Sequence, residues 1–309
     1  MDVKNVVAAS LWAAGLYLAG LLIPILGEFA GLFAPAPLII VYVRSGRRDG
    51  LAAIGLSAAI IAVLAGWQAA FILLLGFGFM AAGTAEGMLR RLKPERAVLL
   101  GGMLPAGALG LVLAVYSAQG GMSPIAVIEG HLKTGIGEIA KIYTSLGFRE
   151  EAKLVTTASD IIVYYGARLT PSLAVAAAAV QAACCYGLAR LFILRREGTA
   201  SRLVRTSLAE WHAPDAWVWG LIAALVLIVI PSHAVRIAGW NLIILFFVVY
   251  TIQGTALLEH VLKRISVPGI GRGLIFAFIL PLVAVFVTAL GVLDIWADFR
   301  KVRAGEQKK

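Results

Sequence analysis

A chain of 309 residues that is 61% hydrophobic and 14% charged, with a mean hydropathy of +0.90, cannot be an ordinary water-soluble domain. A membrane β-barrel is excluded as well, because barrel strands are short and alternate in polarity, whereas the apolar runs here are long and continuous. The net charge of +10 does not point to nucleic acid: it is gathered in short basic clusters at the ends of apolar runs, where membrane orientation and anionic lipid account for it.

Nine apolar stretches follow one another from Val6 to Asp294. A bilayer core about 30 Å thick needs roughly 20 apolar residues in helical form. The sequence therefore predicts an all-α, polytopic transmembrane helix bundle of eight to nine helices. The first, Val6–Leu26, is too long for a signal peptide and is expected to be a retained helix. A loop with Glu28, Gly31, Pro35 and Pro37 leads to a short second helix, Pro37–Val43, which ends at Arg44, Arg47 and Arg48. The third helix, Leu51–Ala65, turns at Gly66 and Trp67 into a fourth that runs to Met88. The cluster Arg90, Arg91, Lys93 and Arg96 comes next, and then a fifth helix over Ala97–Ala118.

The segment Gln119–Ser159 is mixed in polarity. Ile125, Ile128, Leu132, Ile136 and Ile139 recur at helical spacing, with Glu129, Lys133, Glu138 and Lys141 between them, so an amphipathic helix outside the membrane is expected. A long sixth helix, Asp160–Leu194, carries Pro171 and is followed by Arg195, Arg196, Arg202 and Arg205. Val204, Leu208 and their charged neighbours read as a shorter amphipathic piece. The seventh helix is Trp217–Ile230. His233 and Arg236 mark a connection to the eighth, Trp240–Leu262, which ends at Lys263 and Arg264. The ninth is Gly273–Leu293, and Asp294 opens the tail. A cytoplasmic amino terminus places the four basic connections, after helices two, four, six and eight, on the cytoplasmic side of a bacterial inner membrane. It leaves the basic tail outside unless one apolar run is re-entrant.

Chemical motifs are sparse. There is no phosphate-binding glycine loop, no paired-histidine metal motif and no nucleophile elbow, so neither a catalytic set, a metal site nor a cofactor is expected. Cys184 and Cys185 lie inside an apolar run and read as small apolar fillers. Polar residues within the bilayer are costly and more informative. Asp160, Tyr164 and Arg168 stand four apart on one helix face. Arg168 has three readings: snorkelling outward, pairing with Asp160, or contact with an anionic ligand. With Glu28, Gln68 and Tyr116 this face could line a pocket opening outward. Glu86 and Glu259 lie beside basic residues and read as ion pairs. Ala9 and Ala13 give the first helix a small-xxx-small face, for packing within the chain or for docking a partner's helices.

Residues 1–120 resemble the substrate-binding S components of energy-coupling-factor vitamin transporters. The resemblance rests on Ala9 and Ala13 in the first helix, the proline-led short helix ending at Arg44 and Gly46, and the hairpin into helix four. Nearly the whole chain is similar to the YybS-like family of bacterial membrane proteins, through Glu210–Pro214, Asn241, Gln253–Gly254 and Gly291–Arg300. This implies an S-component-like core over 1–194, with an outer insertion at 119–159, and additional helices and tail over 195–309. The function so implied is small-molecule binding or transport alongside partner subunits in the lipid bilayer. The alternative is a non-transporting scaffold for cell-envelope assembly, since the rod-shape protein MreD has a similar-looking core.

Overall fold

In the computed structural model, residues 2–23, 26–197, 211–268, 271–272, 275–276 and 280–300 are described, apart from the side chains of 26, 28, 194–197, 280 and 281. They form helices and connections, with no strand among the described residues. The expected helical membrane bundle is what is found. Among the described residues, five helical stretches are long and apolar enough to cross a bilayer, and three shorter apolar helices accompany them. The chain divides into two compact units, Met1–Val204 and Arg205–Lys309.

The amino-terminal unit opens with α1 (Val3–Leu22), capped by the Asp2 carboxylate, which accepts from Asn5 N–H. A short α2 (Leu26–Gly31) and α3 (Pro35–Ser45) follow, so the proline-led helix starts one proline earlier than Pro37. Next come α4 (Arg47–Ile72), a π-helical stretch at Leu73–Gly78, and α5 (Phe79–Leu89). This whole stretch doubles back at Gly66, whose φ of +90° only glycine adopts readily. Contacts on either side are symmetric about the corner. Arg47 bonds to Glu86, and Gly78 lies against the Ile54 side chain. In a straight helix residues 47 and 86 would be about 58 Å apart. The corner expected at Gly66 and Trp67 is therefore present, and the stretch makes two passes.

Helix α6 (Pro94–Gly120) starts with a proline at its first turn and ends at left-handed Gly121. The amphipathic segment forms α7 (Pro124–Ser145), capped by Ser123, and a further helix α8 (Arg149–Thr157). Helix α9 (Ser159–Glu197) is 39 residues long, about 58 Å at 1.5 Å per residue. That is nearly twice a hydrocarbon core. No charged residue occurs between Arg168 and Arg190. That run matches the bilayer in length, so Arg168 stands at its edge, and the first turns of α9 extend beyond it.

The core of this unit joins α1, α3, α4, α5, α6 and α9 through residues such as Ala13, Leu38, Ala53, Ala85, Ala97 and Ala189. Small residues let the helices approach closely. Ser10, fully buried on α1, donates to the Ala53 carbonyl of α4 at 3.0 Å.

The carboxy-terminal unit contains α10 (Trp217–Val229), α11 (His233–Arg264) and α12 (Leu280–Ala297). Helix α11 begins two turns before Trp240, so His233 and Arg236 belong to its first turn and not to a connection. Helix α12 runs past the expected end at Leu293, and Asp294 lies within it. Helices α11 and α12 cross where two glycines meet. A Cβ on Gly254 would fall 1.9 Å from the Val287 carbonyl oxygen, and one on Gly291 would fall 2.1 Å from that of Tyr250. The amphipathic piece expected near Val204 and Leu208 lies outside the described residues.

Candidate functional site

At the end of the amino-terminal unit that holds the α7–α8 hairpin, Arg168 donates to the Glu129 carboxylate of α7 at 2.6 Å and to the Tyr164 carbonyl at 3.0 Å. Its guanidinium also lies 3.8 Å from the centre of the Tyr164 ring. Both ionic partners are half-buried, at 24% and 34% side-chain exposure. Helical periodicity places Tyr164 one turn before Arg168, so ring and cation stack locally. Glu129 shares a face of α7 with the buried Ile136 and Ala140, and Leu132 beside it packs on Gly166. A cation held this way can receive an anion if the carboxylate yields.

The structure thus brings Tyr164 and Arg168 together, with Glu129 as the carboxylate that Arg168 reaches. Asp160, Gln68 and Tyr116 are exposed. The Glu28 side chain lies outside the described residues. Ala9 and Ala13 are buried at 5% and 1% exposure, in the core shared with α3 and α4. The sequence puts Glu129 on the amphipathic helix but carries no sign of its pairing with Arg168. The available signal is a carboxylate in helical register with Ile136, at the margin of the apolar stripe of an amphipathic helix, in a chain whose next helix carries one costly arginine.

At the opposite end, Glu86 gathers three partners. Arg47 donates to it twice, at 2.5 and 2.9 Å, Arg90 at 3.2 Å, and the Tyr42 hydroxyl at 3.2 Å. This expected ion pair ties the connection Arg44–Arg48 to the connection Arg90–Arg96. In the carboxy-terminal unit, Glu259 pairs with Lys263 at 3.3 Å and with Arg272 at 3.6 Å.

A third cluster is buried in the carboxy-terminal unit. Asp294 accepts from Arg300 at 2.6 Å, with 3% and 1% of the side chains exposed. Asp298, at φ +41°, turns the chain back after α12. Phe299 N–H then donates to the second Asp294 oxygen at 3.1 Å. Arg300 also donates to the Trp211 carbonyl at 2.7 Å. Gln253, 1% exposed, accepts from Ala213 N–H at 3.0 Å and donates to Asp294 at 3.4 Å. Gln253 lies in the uncharged part of α11 between Arg236 and Glu259, so its amide is satisfied at a depth where a lone polar group would be expensive. The stretches that carry the full-length resemblance in the sequence, around Trp211, Gln253 and Asp294, therefore meet at one point. Their pairing has no local signature in the sequence, because they are far apart along the chain.

Among the described residues no group of three His, Cys, Asp or Glu side chains could hold a metal ion. No curated protein and no solved structure matches the chain. A family model described as "Predicted membrane protein (DUF2232)" matches residues 12–295. That span takes in the Arg168 cluster, the Glu86 cluster and Asp294, and the chain belongs to this family of predicted membrane proteins.

Proposed function

We propose that the protein is a small-molecule binding or transport component of the bacterial cytoplasmic membrane, working with partner subunits. Its amino terminus and basic connections face the cytoplasm, and a ligand is taken at the Arg168 end. The observation that carries this reading is the Arg168–Tyr164–Glu129 cluster at the edge of the uncharged run of α9. A cation kept there by an aromatic face and an exchangeable carboxylate suits an anionic ligand. The resemblance of residues 1–120 to vitamin-transporter S components supports the same reading.

The test is gentle purification, followed by mass spectrometry of co-eluting small molecules and proteins. Thermal shift with and without the small molecule recovered is then compared in wild type and Arg168→Ala. The variant is expected to lose ligand-dependent stabilisation. A wild-type response would remove Arg168 from the site. Orientation is tested separately by single cysteines. Positions 48 and 93 are expected to label only after the membrane is permeabilised, and position 148 without it.

The scaffold reading has an observation of its own. Ile142, Tyr143, Leu146 and Phe148 are exposed at the turn between α7 and α8. This turn lies on the far side of Arg168 from the uncharged run of α9, because α7 runs antiparallel to α9. Apolar side chains exposed in water suit a protein partner. Recovery of a stoichiometric membrane protein, with no small molecule, would favour that reading.

A further inference from the structure

The end of the amino-terminal unit opposite Arg168 carries a concentration of positive charge. Two connections contribute Arg44, Arg47, Arg48, Arg90, Arg91, Lys93 and Arg96, all exposed. The hairpin turn at Gly66 returns α5 to the start of α4, and Glu86 bonds to both Arg47 and Arg90, so two separate clusters become one surface. The acidic groups beside it are fewer: Asp2 is exposed, Glu95 is half-buried in the first turn of α6, Asp49 is buried and accepts from the Asp2 backbone N–H at 2.8 Å, and Glu86 is occupied by its two arginines. The depth of this surface is set by packing. Val43, Met88 and Ala97, beside the two clusters, share a core with Tyr186, Ala189 and Ile193, which flank Arg190 on α9. Arg190 ends the uncharged run that matches the hydrocarbon thickness. The basic surface therefore lies at the level of the lipid headgroups.

We propose that the two connections form one binding surface for anionic lipid headgroups, with phosphates received by Arg48, Arg91, Lys93 and Arg96 while Glu86 holds Arg47 and Arg90 in place beside them. Guanidinium and ammonium groups at this depth meet phosphodiesters without crossing the hydrocarbon, and clustered basic residues beside a membrane segment attract anionic leaflets. Charge complementarity and depth together select lipid over a soluble polyanion. The surface is independent of the Arg168 cluster, and its test does not require the small molecule.

The experiment is thermal unfolding of the full chain reconstituted in phosphatidylcholine vesicles with and without phosphatidylglycerol. A further arm adds inorganic phosphate to the phosphatidylcholine sample. Wild type is expected to melt higher with phosphatidylglycerol, by an amount that falls as salt is raised, and to be unmoved by phosphate. The fourfold variant Arg48→Gln/Arg91→Gln/Lys93→Gln/Arg96→Gln should lose most of the lipid-dependent shift while melting like wild type in phosphatidylcholine. Neutralising Lys133 and Lys141 on α7 should leave the shift in place. If the fourfold variant does not fold, Arg48→Gln/Lys93→Gln is expected to lose part of the shift. Equal melting in the two lipids, a full shift in the variants, or the same shift with free phosphate would each overturn the proposal.

Discussion

Asp294 and Arg300 face each other at 2.6 Å across the turn that ends α12, with almost none of either side chain exposed. Neither charge is left to water, and each has a second bond: Asp294 to Phe299 N–H and Arg300 to the Trp211 carbonyl. Arg300 thereby joins the end of α12 to the segment before α10.

Removing one partner strands the other as a buried charge. Asp294→Asn or Arg300→Met alone is expected to destabilise the carboxy-terminal unit by about 3–5 kcal/mol. The double variant should recover a substantial part of the loss. Thermal unfolding in detergent, read as a double-mutant cycle, checks the coupling. Strictly additive losses would contradict it.

The Tyr250 hydroxyl is fully buried and has no hydrogen-bond partner among the described residues. An unsatisfied hydroxyl costs about 1–3 kcal/mol. Tyr250→Phe should therefore keep or raise the melting temperature. A clear fall would mean that the hydroxyl serves a partner in the membrane.

For Arg168 and Glu129 the expected coupling is smaller, because both side chains are partly exposed. Each single alanine should cost about 1 kcal/mol, and exchanging the two charges should restore part of it. Arg168→Lys should recover less than the exchange does, since lysine lacks the planar group that lies on the Tyr164 ring.

Gly66→Ala places a Cβ on a residue at φ +90°. A cost of about 1–3 kcal/mol follows from backbone strain alone, because nothing lies near enough to clash. Gly15→Ala, in α1 and also free of close neighbours, is the control and should be neutral or slightly stabilising. Equal melting temperatures for the two variants would argue against the turn.

Thr251 and Thr288 touch across α11 and α12, with their hydroxyl oxygens 2.5 Å apart. Cysteines at both positions are expected to form a disulfide under mild oxidation. Adding Gly254→Val should suppress it, because the new side chain would meet the Val287 backbone and force the helices apart. Unimpaired cross-linking in that triple variant would count against the close crossing.

The parts of this architecture that could be read in the sequence are those with a one-dimensional signature. Apolar runs gave the helices, Gly66 and Trp67 gave the corner, and the isoleucine spacing gave α7. Boundaries failed where polarity and helicity part company. His233 and Arg236 are polar yet helical, because a helix does not stop at the membrane surface. Asp294 reads as the start of a tail because its counter-charge, Arg300, lies beyond a turn that no local pattern announces. Glu129 and Arg168 are 39 positions apart, so their meeting depends on how α7 folds back along α9. At Ala9 and Ala13 the spacing left two uses open, and the buried face meets α3 and α4.

The corner at Gly66 has a consequence for how the chain enters its bilayer. From Asp49 to Glu86 there is no charged residue in between, and the corner itself is Gly66, Trp67 and Gln68. During synthesis such a stretch can be inserted as a preformed hairpin. Its bend is the only portion that must reach the far leaflet, while Arg47 and Arg90 stay on the side from which it started. Translocation then carries no ionised group through the hydrocarbon, and the Arg47–Glu86 bridge closes the two ends behind it.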